Sequence, residues 1–171
     1  MNSEKKFLIK VLILCYKFLN QKISLNEFHY GIEGEFVSYE NELQKNTRSF
    51  ISNFVGELEI DRHMYDFNDE SKEVEKRAKN LTSSLKEILA INDGINLVNQ
   101  IKNKLLLLLA NVISRKEVAD WATGKLLKNE NISELERNYL LKLAAVDLIN
   151  IVNQSYVDNE KTIIQWLIEF E

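Results

Sequence analysis

Apolar residues recur three and four positions apart along most of this chain, the spacing that places side chains on one face of an α-helix. The clearest stripe is formed by Val74, Ala78, Leu81, Leu85 and Ile88. The same periodicity predicts helices near residues 4–21, 25–44, 47–60, 70–91, 94–113, 115–128, 134–153 and 159–170. We therefore predict an all-α fold.

Serine stands three residues before glutamate at 24–27, 114–117 and 133–136, each time where an apolar stripe begins again. In such a capping box each side chain binds a backbone N–H that the first helical turn leaves without a partner. Further N-caps are predicted for the other helices, at Asp69, at Asp93, and at Asp158 or Asn159. These signals place helix starts more firmly than periodicity alone.

The 171 residues include no proline and only five glycines, which suits long helices better than strands and turns. We predict one domain, residues 1–171, built as a bundle of seven to eight helices in two layers. Residues 61–69 are its main predicted irregular segment. The tight connection at 91–94 permits a subdivision into 1–91 and 93–171.

The net charge of −4 argues against nucleic acid or an anionic membrane as the partner, since either requires a basic face. A single cysteine leaves no internal disulfide and indicates a reducing compartment, so we expect a cytoplasmic protein. Lysines interrupt the apolar N-terminal stretch, which favours a first helix over a signal peptide. The apolar run at 105–113 is far shorter than the about 20 residues that span a bilayer.

No catalytic or metal-binding constellation emerges from the spacing of reactive residues. Cys15 lies among apolar neighbours and is interpreted as a core residue. His29 and His63 match neither the Glu-x-x-His spacing of bundle metal sites nor a zinc pair. The glycines form no phosphate-binding loop. We expect no enzyme activity, no cofactor and no metal.

The most informative charged stretch runs from Glu57 to Glu75, where acids outnumber bases and aromatic residues are interleaved. It is either a solvated loop leading into an acidic helix start, or a surface that attracts a cationic protein and anchors it through aromatic side chains. On the second interpretation, the partner-binding residues are Glu57, Glu59, Asp61, Tyr65, Asp66, Phe67, Asp69 and Glu70.

Six residues in the second half are assigned structural roles. Asp147 lies in an otherwise apolar stretch, so we expect a buried carboxylate paired with Arg115 or with the indole N–H of Trp121. Trp121 and Trp166 fall on apolar faces and are predicted core residues. Ser114 and Glu117 form the central capping box.

Residues 113–122, Ile-Ser-Arg-Lys-Glu-Val-Ala-Asp-Trp-Ala, resemble the I-S-R-x-E-x-x-x-W-A segment of a group of small all-α bacterial proteins. In that group a helix with a late aspartate follows, matched here by Asp147, and then a D-x-x-x-W-L helix, matched loosely by residues 160–167. The resemblance covers residues 95–170. Some members are immunity proteins of contact-dependent growth inhibition and other polymorphic toxin systems, so it implies a cytoplasmic inhibitor of a toxin domain.

These observations lead to one hypothesis and one alternative. The first is an immunity protein, monomeric or weakly dimeric when free, that binds a cognate and basic nuclease toxin through its acidic surface. The alternative is a non-enzymatic helical adaptor or a homo-oligomeric protein, which predicts an exposed apolar stripe on the first helix, formed by Phe7, Val11, Leu14 and Phe18.

Overall fold

The computed structural model describes residues 2–64, 67–91, 96–128, 131–150, 152 and 154–169. Within them the α-helices are α1 (Asn2–Leu19), α2 (Leu25–Tyr39), α3 (Lys45–Met64), α4 (Phe67–Ile88), α5 (Leu97–Leu109), α6 (Arg115–Lys128), α7 (Glu134–Ala144) and α8 (Glu160–Glu169), with a 3₁₀ turn at Glu40–Glu42. The predicted all-α class is confirmed. The helices group into two compact units, Met1–Ala90 and Ile91–Glu171.

In the first unit, α1 packs against α2 and α4, and α3 packs against α2 and α4. The predicted face of α4 is buried at Val74, Ala78, Leu81 and Leu85, whereas Ile88 is exposed. The rings of Phe18 and Phe28 stack at 4.6 Å between α1 and α2. The core therefore forms from one apolar face of α4 and from α1, in which the consecutive residues Phe7, Leu8 and Ile9 are all buried.

In the second unit, α5 packs against α6, α7 and α8, and α6 packs closely against α7. Ile101, Leu105 and Leu106 of α5 are fully buried, as expected for a central helix. Its N-cap is Asn96, whose side chain accepts a hydrogen bond from the Asn99 N–H. The predicted cap Asp93 lies outside the described residues.

All three capping boxes are confirmed. The serine hydroxyl accepts the glutamate N–H, and the glutamate carboxylate accepts the serine N–H, at 24–27, 114–117 and 133–136. At α2 this carboxylate bond to the Ser24 backbone holds the pKa of Glu27 below its usual range. Asn159, one of the two residues predicted to cap the last helix, accepts the Thr162 N–H through its side chain.

Two of the differences between the predicted and the observed elements bear on the surface. The segment 61–69, expected to be irregular, is helical through Met64 and again from Phe67. The helix expected over 134–153 ends at Ala144, and an antiparallel bridge then pairs Ile149 with Tyr156. Both differences change which side chains reach the surface.

Candidate interaction surface on helices α3 and α4

An ion-pair network joins α3 to α4 at the centre of the predicted acidic surface. The Arg77 guanidinium donates to both carboxylate oxygens of Asp61, at 2.5 Å and 3.2 Å, and to Glu57 at 2.5 Å. The side chain of Asp61 is only 1% exposed, whereas that of Glu57 is 51% exposed. Asp61 is therefore an internal partner of Arg77, and Glu57 is the part of this network that reaches solvent.

A second buried acid lies at the start of α4. Glu70 is buried, and its charge acts on His29 of α2 together with the charges of Asp61 and Arg62 on α3. His29 is half-buried, and its Nε2 atom is enclosed without a hydrogen-bond partner. Burial lowers the pKa of His29, and the two carboxylates partly oppose that effect. This group links three helices inside the first unit.

The outer face of α3 carries exposed apolar side chains at helical spacing. Phe50, Asn53, Glu57, Ile60 and Met64 follow one another three or four residues apart, and all five are exposed. Ile60 is 59% exposed and Met64 is 74% exposed. Large apolar side chains arranged in this way on an amphipathic helix are typical of a surface that a partner covers. We call these five residues the α3 stripe.

Further charged groups lie on α3 outside the α3 stripe. Glu59 is exposed on α3, while Glu57 belongs to the stripe itself. Arg62 lies over the ring of the exposed Tyr30 of α2, with its guanidinium carbon 5.7 Å from the ring centre. An aromatic ring and a cation are thus held together beside the exposed end of α3.

The structure divides the eight predicted partner-binding residues into three groups. Glu57 and Glu59 are exposed, as a docking surface requires. Asp61 and Glu70 are buried, so their placement on the acidic surface is corrected: both point into the contact between helices. Tyr65 and Asp66, together with the side chains of Phe67 and Asp69, lie outside the described residues.

Sequence reasoning did not identify Ile60, Met64 and Tyr30 as surface residues. The sequence did indicate the two faces of α3. Its buried stripe, with spacings of three and four, is formed by Ile51, Phe54, Leu58 and Asp61. Extending that stripe to Asp61 places Ile60 and Met64 on the other side of the helix. The prediction followed the acidic composition of the segment instead of this periodicity.

In the second unit, Arg115, one of the two partners expected for Asp147, makes other contacts. Its guanidinium donates to the backbone carbonyl of Val146 at 2.7 Å and lies 4.1 Å from the ring centre of Tyr156. Asp147 follows the end of α7 and is only half-buried. The expectation of a buried aspartate within a helix is therefore wrong, since the helix has already ended.

The two tryptophans differ in environment. Trp166 is buried in α8, as predicted. Trp121 is half-exposed on α6, where the ammonium groups of Lys104 and Lys125 lie 5.7 Å and 5.9 Å from its ring centre. Trp121 therefore covers the edge of the core and contributes cation–π contacts at the surface.

Reactive groups are dispersed in the described part of the chain. Cys15 is fully buried in α1, and burial raises the pKa of its thiol to about 12. Across residues 2–64, 67–91 and the described parts of the second unit, no group of three His, Cys, Asp or Glu side chains is arranged to hold a metal ion. None of the helices in these ranges combines the length and apolarity of a membrane span.

No protein-family model, curated protein or solved structure matches this chain.

Proposed function

We propose that this chain is a bacterial immunity protein that neutralises a cognate toxin domain in the cytoplasm by binding it directly. The observation that carries the proposal is the α3 stripe, where Ile60 and Met64 are exposed on the same face as the carboxylate of Glu57, while Glu59 adds an exposed carboxylate on another face of α3. Apolar anchors supply binding energy once water is excluded, and surrounding charges select and steer the partner.

The charge of the chain favours a basic partner. At −4 overall, the protein attracts cationic surfaces, and nuclease domains carry such surfaces because they bind phosphates. Glu59 supplies exposed negative charge, whereas Glu57 is shared with Arg77. A lysine or arginine of the toxin would compete with Arg77 for Glu57. The buried Asp61 would keep Arg77 in place during that exchange.

The proposal is tested with the C-terminal domain encoded by the gene directly upstream of this one. We expect that domain to arrest growth, co-expression of this chain to restore growth, and the two purified proteins to form a complex. An upstream domain that neither arrests growth nor binds this chain would refute the immunity function.

The binding surface is tested by changing Ile60 and Met64 to aspartate in one variant. Buried apolar anchors each contribute about 2 kcal/mol or more, so we expect the affinity to fall at least about 100-fold. Val37→Asp is the matched control, because Val37 is comparably exposed on α2 and lies outside the stripe. Unchanged affinity of the Ile60/Met64 variant would remove the α3 stripe from the interface.

The alternative, an adaptor or homo-oligomer without a toxin partner, predicts an exposed apolar stripe on α1, and those side chains are not exposed. Phe7 and Val11 of α1 are fully buried, and Leu14 and Phe18 are half-buried. Light scattering separates the two proposals: an obligate oligomer exceeds the 20.0 kDa of the single chain at all concentrations. An immunity protein that is monomeric when free does so only when its toxin is added.

A further inference from the structure

The connection between α7 and α8 contains an isolated antiparallel bridge between Ile149 and Tyr156. The Val157 N–H donates to the Leu148 carbonyl at 3.0 Å, and the Asn150 N–H donates to the Ser155 carbonyl at 2.8 Å. The Asn150 side chain also accepts the Val152 N–H, which begins the turn between the two bridged residues. We call residues 148–150 and 154–157, with Val152, the 148–157 hairpin.

This hairpin exposes more large apolar side chains than any other short stretch of the described chain. They are Leu148, Ile149, Val152, Tyr156 and Val157. Val152 is 93% exposed at the turn, and the other four are between 46% and 59% exposed. Single exposed apolar residues are ordinary, but a cluster of five within ten residues is typical of an interaction site.

The main chain of the hairpin has open edges. Its two hydrogen bonds bracket the Ile149–Tyr156 pair, so the N–H and C=O groups of these two residues point to the outer edges. Among the described residues, neither Ile149 nor Tyr156 makes a main-chain hydrogen bond. A strand edge of this kind accepts an extended segment of another chain.

A concave surface of about 500 Å³ lies beside the hairpin, lined in part by Arg115, Asn150, Tyr156 and Glu160. The cation at this surface is already engaged, because Arg115 lies against the Tyr156 ring and donates to the Val146 carbonyl. The guanidinium therefore closes one wall of the cavity. Its hydrogen bond and its cation–π contact are both made within the chain.

The negative groups at this surface are not engaged in the same way. Glu160 lines the cavity and begins α8, and the half-buried Asp158 lies between the lining residues Val157 and Asn159; within the described residues neither acid forms an ion pair. Among the lining residues, Arg115 is engaged within the chain and Glu160 is the charged group that is left for a ligand, so the complementary charge on a partner is positive.

We infer that the 148–157 hairpin is a docking edge for an extended segment of a partner protein that has aliphatic residues at alternate positions and a lysine or arginine at its end. The segment pairs with an open main-chain edge beside the Ile149–Tyr156 bridge, its aliphatic side chains cover the exposed apolar residues on one face of the hairpin, and its cation reaches Glu160 and the adjacent Asp158. This surface is independent of the α3 stripe and of the toxin assignment.

The test uses the full chain, labelled with ¹⁵N, and a short synthetic peptide that alternates valine and threonine with lysine at both ends. We expect the peptide to shift the amide signals of residues 148–157. A matched peptide with glutamate at both ends is expected to bind about tenfold more weakly. A chain carrying Asp158→Lys and Glu160→Lys should reverse that preference. A chain carrying Glu42→Lys and Glu87→Lys, two exposed acids of the first unit, should keep it.

Three outcomes would overturn the inference. The first is equal binding of the two peptides, which removes the charge selection. The second is a set of shifted signals that lies away from residues 148–160 and Arg115, which would place the binding site elsewhere on the chain. The third is a concentration-dependent shift of the hairpin signals without any peptide, because a second copy of the chain would then occupy the edge.

Discussion

Arg77 of α4 binds the buried carboxylate of Asp61 on α3 through two hydrogen bonds, while its third donor reaches the exposed Glu57. Removing Arg77 would leave Asp61 enclosed without its counter-ion. We expect Arg77→Met to lower the free energy of unfolding by about 2–4 kcal/mol, measured by urea denaturation.

Two further variants compare how much the buried Arg77–Asp61 contact and the exposed Arg77–Glu57 contact contribute to the free energy of unfolding. Glu57→Gln is expected to cost less than about 1 kcal/mol, because an exposed pair contributes little. A double variant, Asp61→Leu with Arg77→Met, removes the stranded charge and should recover part of the loss. Equal costs for Arg77→Met and Glu57→Gln would contradict the internal role of Asp61.

Acidification should weaken the first unit through His29. Burial holds the pKa of His29 below its ordinary 6.5, so the unfolded chain takes up this proton more readily than the folded chain. The stabilisation from neutral His29 is complete above about pH 6.5 and is lost as the pH falls below it.

The urea midpoint of His29→Gln should therefore depend less on pH than that of the parent chain. His63→Gln, a change at the exposed end of α3, is the matched control. An unchanged slope in His29→Gln would refute this role.

The single cysteine should be inert in the folded protein. Burial raises the pKa of Cys15 from 9.0 to about 12, and the thiolate is the reactive form. We expect a thiol reagent at about pH 8 to label Cys15 roughly 10³-fold more slowly than an exposed cysteine, through rare opening of the first unit.

The reference for that rate is Leu127→Cys in a Cys15→Ala background, since Leu127 is 82% exposed on α6. Because the unfolded thiol ionises near pH 9 and the folded one near 12, stability should also fall as the pH rises between these values. Rapid labelling of Cys15 in the native chain would show that α1 is not packed as described.

Two glycines of α2 should respond differently to alanine. A Cβ at Gly34 meets nothing within 4 Å, so Gly34→Ala should raise the free energy of unfolding by about 0.5–1 kcal/mol through helix propensity. A Cβ at Gly31 would lie 3.0 Å from Cδ2 of Leu14 on α1. Gly31→Ala is expected to gain less, because Leu14 must shift. Equal gains in urea denaturation would mean that the contact between α1 and α2 is looser than the distance indicates.

Periodicity and capping predicted the helices well at their starts and less well at their ends. Three helices were predicted to run two to four residues too far, to 21, 91 and 113 instead of 19, 88 and 109. Each ends just before a residue of positive φ, namely Gln21, Ala90 and Asn111. Glycine is the usual sign of that conformation, and none of these positions carries it. The sequence therefore lacked the residue by which such an end is recognised.

Asp61 and the 148–157 hairpin differ in how far their positions could be predicted from the sequence. Asp61 continues the buried stripe of α3, so its position was open to prediction even though its partner Arg77 was not. The 148–157 hairpin was not predictable in this way. Its residues include neither proline nor glycine to mark the end of the helix, and contacts distant in sequence, such as Arg115 with Val146, accompany that end.

Both tryptophans belong to the unit Ile91–Glu171, one half-exposed and the other buried. Tryptophan emission is therefore an optical reporter of that unit alone, whereas far-ultraviolet circular dichroism follows the helices of both. If the two units unfold independently, the two signals will give separate denaturation midpoints, and a coincident midpoint will mean that the chain unfolds as one cooperative body.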